Sequence, residues 1–144
     1  MAERRIATGG SLVLDSEGLV KLAAGDGRAR AYLASALTRR ARVVVSAITL
    51  TEVLRGGPRD APVHRVLSRI AAVPVSPDTA RWAGELLGAT GLSGHRCAID
   101  AVVAVTALSS PRPIVLLTSD PGDLGRLVAE PGRPRAERIA VIHV

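Results

Sequence analysis

Short apolar runs alternate with amphipathic stretches along the chain. The runs are rich in Val, Ile and Leu, and they predict strands at 11–15, 42–46, 71–75, 113–119 and 138–144. The third of these strands is weakened by its proline. Amphipathic periodicity predicts helices over 17–24, 27–40, 49–55, 61–71, 76–91, 97–109 and 120–128. Because strands alternate with helices and most strands are apolar throughout, the pattern predicts a parallel sheet covered on both faces.

The pattern is typical of one α/β domain, a three-layer sandwich around a mostly parallel central sheet, over residues 11–144. A chain of 144 residues can bury a single core, and a hydrophobic fraction of 47% argues against disorder. Residues 1–10, which end in two glycines, are predicted to form a flexible tail.

Acidic residues occur where the predicted sheet would gather them at one edge. Asp15 ends the first strand, and Asp120 ends the strong strand at 113–119. Glu52 lies in the helix after the second strand, and Asp100 lies early in the apolar segment "CAIDAVVAV". Ligands of open α/β sheets bind beyond the carboxyl ends of the strands. We therefore expect these side chains to lie near one another.

Most of the acids also have a local explanation. Asp15 could be an ordinary turn residue at a strand end. Thr49 and Glu52 have the spacing of a capping box, in which Glu52 would accept a helix-start amide. Asp120 followed by proline is typical of a helix cap, and Asp123 then falls at the third helical position. For Asp123 the capping role is at least as well supported as a metal role.

Asp100 has apolar neighbours on both sides and no local role of this kind, although a nearby helix N-terminus would favour its charge. An ionised carboxylate near buried surface is costly unless a positive partner compensates it. One metal ion bound by all the acids would explain them together. Oxygen ligands without a His or Cys cluster indicate Mg²⁺, with Mn²⁺ as a possible substitute. Such sites commonly transfer phosphoryl groups or hydrolyse phosphodiesters.

The charge balance suits a polyanionic partner, since the net charge is +6 and 18 of the 19 basic residues are Arg. An Arg-rich proteome without functional meaning would give the same balance. The single cysteine, Cys97, excludes an internal disulfide and is predicted to be a small core residue in a reducing cytoplasm. No secretory signal is evident, and no run reaches the roughly 18 apolar residues of a membrane span.

The segments "LVLDSEGLVKL", "ITLTEVLRG", "AIDAVVAVTAL" and "LLTSDPGDL" together resemble the PIN-domain nucleases. The compact length and the segment "TLTEVLRG" resemble the VapC-type toxins of bacterial toxin–antitoxin pairs. A single segment would be weak evidence, but the set follows the family's order from about residue 11 to the C-terminus. The resemblance implies a PIN-like fold, RNA cleavage with Mg²⁺ or Mn²⁺, a homodimer, and inhibition by a cognate antitoxin.

The resemblance also implies roles for individual residues. The catalytic and metal-binding acids would be Asp15, Glu52, Asp100 and Asp120, with Asp123 as an accessory ligand. Supporting hydroxyls would come from Ser16, Thr118 and Ser119. The segment ahead of Asp100, "GLSGHRC", departs from the family, and we expect its His95 and Arg96 to be exposed loop residues rather than RNA contacts. The loop at 132–135 is likewise expected to be solvated.

The sequence thus predicts a Mg²⁺-dependent endoribonuclease in the cytoplasm, the toxin of a toxin–antitoxin pair. The alternative is a PIN-like RNA-binding or protein-interaction module with little or no nuclease turnover. A response-regulator receiver and a haloacid-dehalogenase-like phosphatase both need a late lysine, and the only lysine of the chain is Lys21.

Overall fold

The computed structural model describes residues 9–144, so residues 1–8 of the predicted tail lie outside the described residues. The strands are β1 Ser11–Leu14, β2 Arg42–Ser46, β3 Ala71–Val73, β4 Ile114–Thr118 and β5 Ala140–His143. The helices are α1 Ser16–Ala23, α2 Gly27–Thr38, α3 Thr49–Val53, α4 Ala61–Leu67, α5 Pro77–Thr90, α6 Gly94–Leu108 and α7 Pro121–Leu127. Short 3-10 turns occupy Pro58–Asp60 and Arg135–Glu137. None of the helices in the described part of the chain combines the length and apolar character needed to cross a membrane.

The five strands form one sheet in the order β3-β2-β1-β4-β5, and every neighbouring pair is parallel. Successive side chains of a strand point to opposite faces. Val13 and Leu116 accordingly pack with residues of α5, α6 and α7, whereas Leu14 and Leu117 pack with residues of α1, α2 and α4. All four of these strand residues are fully buried. The predicted three-layer α/β sandwich is confirmed, and its sheet is parallel throughout.

Several element boundaries differ from the predicted ones, and three of them have clear local reasons. Helix α6 begins at Gly94 rather than at 97, because Ser93 is its N-cap and the Ser93 hydroxyl accepts the Arg96 amide at 3.4 Å. Helix α2 ends at Thr38 rather than at 40, before Arg40 adopts a φ of +57°. Strand β3 ends before its proline, which has no amide to donate.

Gly10, the residue before β1, packs closely against the residue before β4. Gly10 has a φ of +77°, and a Cβ there would lie 2.2 Å from the carbonyl oxygen of Pro113, so a side chain does not fit. The Gly10 carbonyl accepts the Arg42 amide at 2.9 Å, and the Ser11 amide donates to the Pro113 carbonyl at 2.9 Å. These bonds fix β1 between β2 and β4.

Candidate metal centre

The carboxyl ends of β1, β2 and β4 lie side by side at one edge of the sheet. Leu14, the last residue of β1, is in register with Val45 of β2 and Leu117 of β4. Asp15 follows β1 directly, and Asp120 follows β4 after one intervening residue. Helix α3 follows β2, and helix α6 packs against β2. The parallel topology therefore brings distant parts of the sequence to one place.

Asp15 is 7% exposed and caps α1, whose first residue is the half-buried Ser16. Its Oδ1 accepts the Gly18 amide at 2.7 Å, and its own amide donates to the Leu117 carbonyl at 3.2 Å. A Cβ on Gly18 would lie 2.7 Å from that carbonyl oxygen, so the glycine lets α1 start close to β4. Burial raises the pKa of Asp15, although hydrogen bonds from Thr118 and Gly18 oppose the rise. The cap uses one of the two carboxylate oxygens.

Glu52 does not form the capping box that the sequence allowed. The N-cap of α3 is Ile48, which makes no side-chain capping bond, and the Thr49 hydroxyl is buried without a hydrogen-bond partner. The Glu52 side chain is exposed, and its carboxylate takes part in none of the hydrogen bonds or ion pairs found within residues 9–144. The local explanation of Glu52 is therefore wrong, and its carboxylate is free to bind a ligand.

Asp100 is half-buried in the second turn of α6, farther from the helix N-terminus than predicted because the helix begins at Gly94. Burial raises the pKa of Asp100 to about 6, and the charges of other acids add to the rise. In decreasing order these acids are Glu52, Asp15, Asp120 and Asp123. We call these five carboxylates, Asp100 included, the acidic edge.

Asp120 and Asp123 open α7. Asp120 is the N-cap, its Oδ1 accepts the Gly122 amide at 3.3 Å, and Pro121 occupies the first helical position, so the predicted cap is confirmed. Asp123 is half-buried at the third helical position. Its Oδ2 accepts a hydrogen bond from the Cys97 thiol, with 3.8 Å between Sγ and Oδ2. Capping therefore accounts for one carboxylate oxygen of Asp120. The carboxylate of Asp123 is instead oriented by its hydrogen bond from Cys97 of α6.

The bond from Cys97 to Asp123 is a feature that the sequence analysis missed. Cys97 is 6% exposed, which confirms it as a core residue. Burial raises the pKa of the thiol, and the nearby charges of Asp123 and Asp100 add to the rise, so the thiol is a neutral donor. The sequence did contain one indication that Cys97 lies near the acids. Cys97 and Asp100 are three residues apart, which places both on one face of a helix.

Thr118 and Ser119 have different roles. The buried Thr118 hydroxyl accepts the Asp120 amide at 3.0 Å, and its hydrogen bond to Asp15 lowers the pKa of that carboxyl. The Ser119 hydroxyl instead donates to the carbonyl of Val144 at 3.0 Å and so ties the end of the chain to β4. Only Thr118 of this pair is bonded to the acidic edge through its side chain.

His95 and Arg96 are exposed as expected, but they lie in the first turn of α6 rather than in a loop. The prediction of a loop overlooked the capping residue Ser93, and Gly94 is tolerated in a first turn whose amides have no helical partner. The residues at 132–135 are exposed or half-buried, in keeping with a solvated loop.

No basic side chain pairs with the acidic edge among the described residues. The ion pairs within 9–144 join Arg81 to Asp78, Arg112 to Glu130, and Arg133 to Glu130. Clustered carboxylates repel one another and raise each other's pKa when nothing positive lies between them. Within residues 9–144 the negative charge of this edge is therefore uncompensated.

The donor set of the acidic edge fits a hard divalent cation, because it consists of carboxylate oxygens around the half-buried Asp100. As the side chains stand, however, no three His, Cys, Asp or Glu side chains in residues 9–144 lie close enough together to hold one metal ion. The carboxylates would have to turn toward a common centre to bind it. The residues thus fit the ion in charge and chemistry, and the described conformation is not a closed coordination shell.

Solved structures with the same fold are known. VapBC2 from Rickettsia felis, bound to a DNA fragment from its promoter, matches with a TM-score of 0.65 at 17% sequence identity, covering 92% of this chain and 98% of that chain. FitAB bound to the IR36 DNA fragment has a TM-score of 0.62 at 18% identity and covers 92% of this chain and 94% of that chain. FitAcB from Neisseria gonorrhoeae has a TM-score of 0.57 at 20% identity and covers 92% and 96%.

No family model and no curated protein match the chain. The VapC and FitB toxins of the matched complexes are PIN domains, so the predicted resemblance is confirmed at the level of the fold. Identities of 17–20% do not carry a substrate or a reaction from one chain to another.

Proposed function

We propose that this protein is a metal-dependent endoribonuclease that hydrolyses phosphodiester bonds in RNA at the acidic edge. The observation that carries the proposal is the environment of Asp100. Four other carboxylates face Asp100, its pKa lies near 6, and no arginine within residues 9–144 compensates the charge. A site that gathers negative charge in a protein of net charge +6 is suited to an external cation.

The residues of the acidic edge would share the work of holding Mg²⁺ or Mn²⁺. Asp15 is buried and Asp100 is half-buried, while Glu52 and Asp120 are exposed to solvent. The Thr118 hydroxyl steadies both Asp15 and the backbone at Asp120. When bound, the ion supplies activation of the attacking water and stabilisation of the leaving oxygen.

RNA would be attracted by the arginine-rich surface, since long-range attraction to phosphates depends on net charge and is screened by salt. Tyr32 and Trp82 are the only aromatic residues of the chain, and the Arg28 guanidinium lies 6.0 Å from the Tyr32 ring centre. With so few stacking surfaces, the choice of RNA would rest on shape more than on splayed bases.

We propose a cognate antitoxin as the partner of this cytoplasmic toxin, in line with the partnered structures that share its fold. A groove of about 710 Å³ between α1, α2 and α4 is lined by apolar side chains including Leu33 and Leu37, and Arg30, Arg65 and Arg69 also border it. An acidic amphipathic segment would complement this groove.

The variant Leu37→Asp should weaken antitoxin binding, because Leu37 is 52% exposed in the groove. Trp82→Asp is the matched control, since Trp82 is 39% exposed on α5 at the other face of the sheet. If Leu37→Asp and wild type bound the antitoxin equally well, the antitoxin would have to bind outside this groove.

We also propose a homodimer, on the basis of the resemblance to the VapC-type toxins. Sedimentation of the free protein measures its oligomeric state.

A PIN-like binding module without turnover is the second candidate. It is favoured by the absence, within 9–144, of three candidate ligands close enough to share a metal ion. Such a module would retain RNA without degrading it, whichever metal is present.

The deciding experiment incubates the purified protein with total RNA in Mg²⁺, in Mn²⁺ and in EDTA. We expect cleavage with either metal, none in EDTA, and none by Asp100→Asn. Asp78→Asn is the matched control, because the Asp78 side chain is 94% exposed and lies on α5. RNA that is bound but intact under every condition would establish the binding module instead.

A further inference from the structure

Helix α3, which carries Glu52, is too short to be stable through its own hydrogen bonds alone. It is five residues long, and isolated helices shorter than about 12 residues are marginal in water. Its N-cap Ile48 makes no side-chain capping bond, and within residues 9–144 the Thr49 hydroxyl has no hydrogen-bond partner. Leu50, Val53 and Leu54 pack the inner side of the helix against the core, and its C-terminal end adds side-chain hydrogen bonds to the backbone of Glu52.

Arg55 binds that end. Its guanidinium donates to the carbonyl oxygens of Thr51 at 3.1 Å, of Glu52 at 3.0 Å and of Leu54 at 2.8 Å. These carbonyls have no helical amide beyond them, because α3 ends at Val53. One of the bonds is to the backbone of Glu52 itself, so Arg55 acts on the residue whose carboxylate faces Asp100.

Asp60 holds Arg55 in turn. One oxygen of its carboxylate, Oδ2, accepts the amides of both Arg55 at 2.9 Å and Gly56 at 2.7 Å. Gly56 has a φ of +87°, which a residue with a side chain rarely adopts. Asp60 is 6% exposed, and its two amide bonds lower the pKa of its carboxyl. The turn after α3 is thus closed around a buried carboxylate.

We propose that Arg55 and Asp60 are positioning residues that hold α3 so that the Glu52 carboxylate faces the acidic edge. The inference rests on the proposed function, because it assigns Glu52 a ligand to bind. Neither residue touches the metal or RNA in this scheme. Arg55 acts through the backbone of Glu52, and Asp60 acts through Arg55.

The test measures Mn²⁺ binding by calorimetry in the absence of RNA. Arg55→Ala should weaken Mn²⁺ binding about tenfold, the range expected when a group that orients a metal ligand is lost. The direction of the change in Mn²⁺ affinity distinguishes positioning from electrostatics. If only electrostatics mattered, removing a positive charge near a cation site should strengthen Mn²⁺ binding. Arg59→Ala removes the same charge from the same turn and should not weaken Mn²⁺ binding, because the Arg59 side chain makes no hydrogen bond or ion pair within residues 9–144.

Glu52→Gln separates positioning from general stability. If Arg55 acts through Glu52, Arg55→Ala should have no further effect on Mn²⁺ affinity in the Glu52→Gln background. Asp60→Ala should weaken Mn²⁺ binding as Arg55→Ala does. Asp60→Asn should keep most of the Mn²⁺ affinity that Asp60→Ala loses, because the side-chain amide of Asn has one oxygen that can accept both backbone amides.

Different results would overturn the proposed nuclease function and the positioning roles of Arg55 and Asp60. Wild type that binds no Mn²⁺ and cleaves no RNA would overturn the proposed function, and this inference with it. The inference alone would be overturned if Arg55→Ala bound Mn²⁺ as tightly as wild type. It would also be overturned if the loss of Mn²⁺ affinity on Arg55→Ala added in full to the loss on Glu52→Gln. Arg55 is exposed, so its variant is expected to fold even if Asp60→Ala does not.

Discussion

Two half-buried carboxylates, Glu130 and Asp100, are treated in opposite ways by the same chain. The Glu130 side chain is 17% exposed, and its Oε1 is paired with Arg112 and, at 3.4 Å, with the Nε of Arg133. Arg112 also donates to the Glu137 carbonyl at 2.9 Å and so joins the C-terminal loop to the start of β4. Asp100 has no ion pair within residues 9–144, and the charges of four other acids add to the rise of its pKa.

The difference is not a shortage of positive charge, because the chain has 19 basic and 13 acidic residues. At Glu130 the carboxylate is paired with Arg112 and Arg133. At the acidic edge no arginine of residues 9–144 forms an ion pair, and burial and repulsion together raise the pKa of Asp100 to about 6. This contrast between Glu130 and Asp100 supports the proposal that the acidic edge binds an external cation.

The largest expected effect is on catalysis. Asp100→Asn should reduce Mg²⁺-dependent RNA cleavage by about a thousandfold, the scale seen when one group that stabilises developing charge is removed. It should also raise the melting temperature of the metal-free protein, because the change removes a repelled charge. Cleavage rates and thermal unfolding measure the two effects. An active Asp100→Asn enzyme would contradict the assignment of the site.

Glu130→Gln should have the opposite effect on stability. The substitution leaves Arg112 with a weaker acceptor and should lower the free energy of unfolding by about 1–3 kcal/mol. Urea denaturation in EDTA measures it beside Asp100→Asn. Cleavage should stay near the wild-type rate, because Glu130 does not belong to the acidic edge. If both substitutions changed stability in the same direction, the contrast between the two carboxylates would be lost.

Acidification should stabilise the metal-free protein. The pKa of Asp100 is about 6 in the native state and near 3.8 in the unfolded chain, so the native state binds more protons between these values. The free energy of unfolding therefore falls as pH rises from about 4 to 6, and the loss is complete above that window. Asp15, whose pKa is also raised, acts in the same direction.

Mg²⁺ should reverse that loss, since a ligand at ten times its dissociation constant stabilises the native state by about 1.4 kcal/mol. The stabilisation should be present at pH 7.5 and reduced at about pH 5, where Asp100 is protonated. Melting curves with and without Mg²⁺ at the two pH values measure it, and Asp100→Asn should show little response. Equal stabilisation at both pH values would point to a site other than the acidic edge.

The sequence was sufficient to predict the sheet and the segments that carry the acids, because apolar runs end in Asp15 and Asp120 and a parallel sheet brings such ends together. It could not decide whether Glu52 caps its own helix. That outcome depends on where α3 begins, and Ile48 rather than a polar residue became the N-cap.

The contacts that orient the acids could not be predicted for a related reason. The bond from Cys97 to Asp123 crosses 26 positions, and the closed turn around Asp60 depends on a positive φ at Gly56. Neither the thiol nor the turn has a distinctive local pattern. Such features arise from packing between helices and strands. The sequence indicates these elements, but it does not indicate how they are placed relative to one another.

The smallest expected effect separates the two arginines of Glu130. Arg133→Ala should lower the free energy of unfolding by no more than about 0.5 kcal/mol, because the Arg133 side chain is 40% exposed and an exposed pair gains little in water. Arg112→Ala should cost more, since Arg112 is 27% exposed and also loses its bond to the Glu137 carbonyl. The difference between the two variants in urea denaturation measures how much of the compensation at Glu130 comes from the less exposed partner. Equal effects would mean that the pairing is a solvated surface contact, and Glu130 could no longer serve as the compensated counterpart of Asp100.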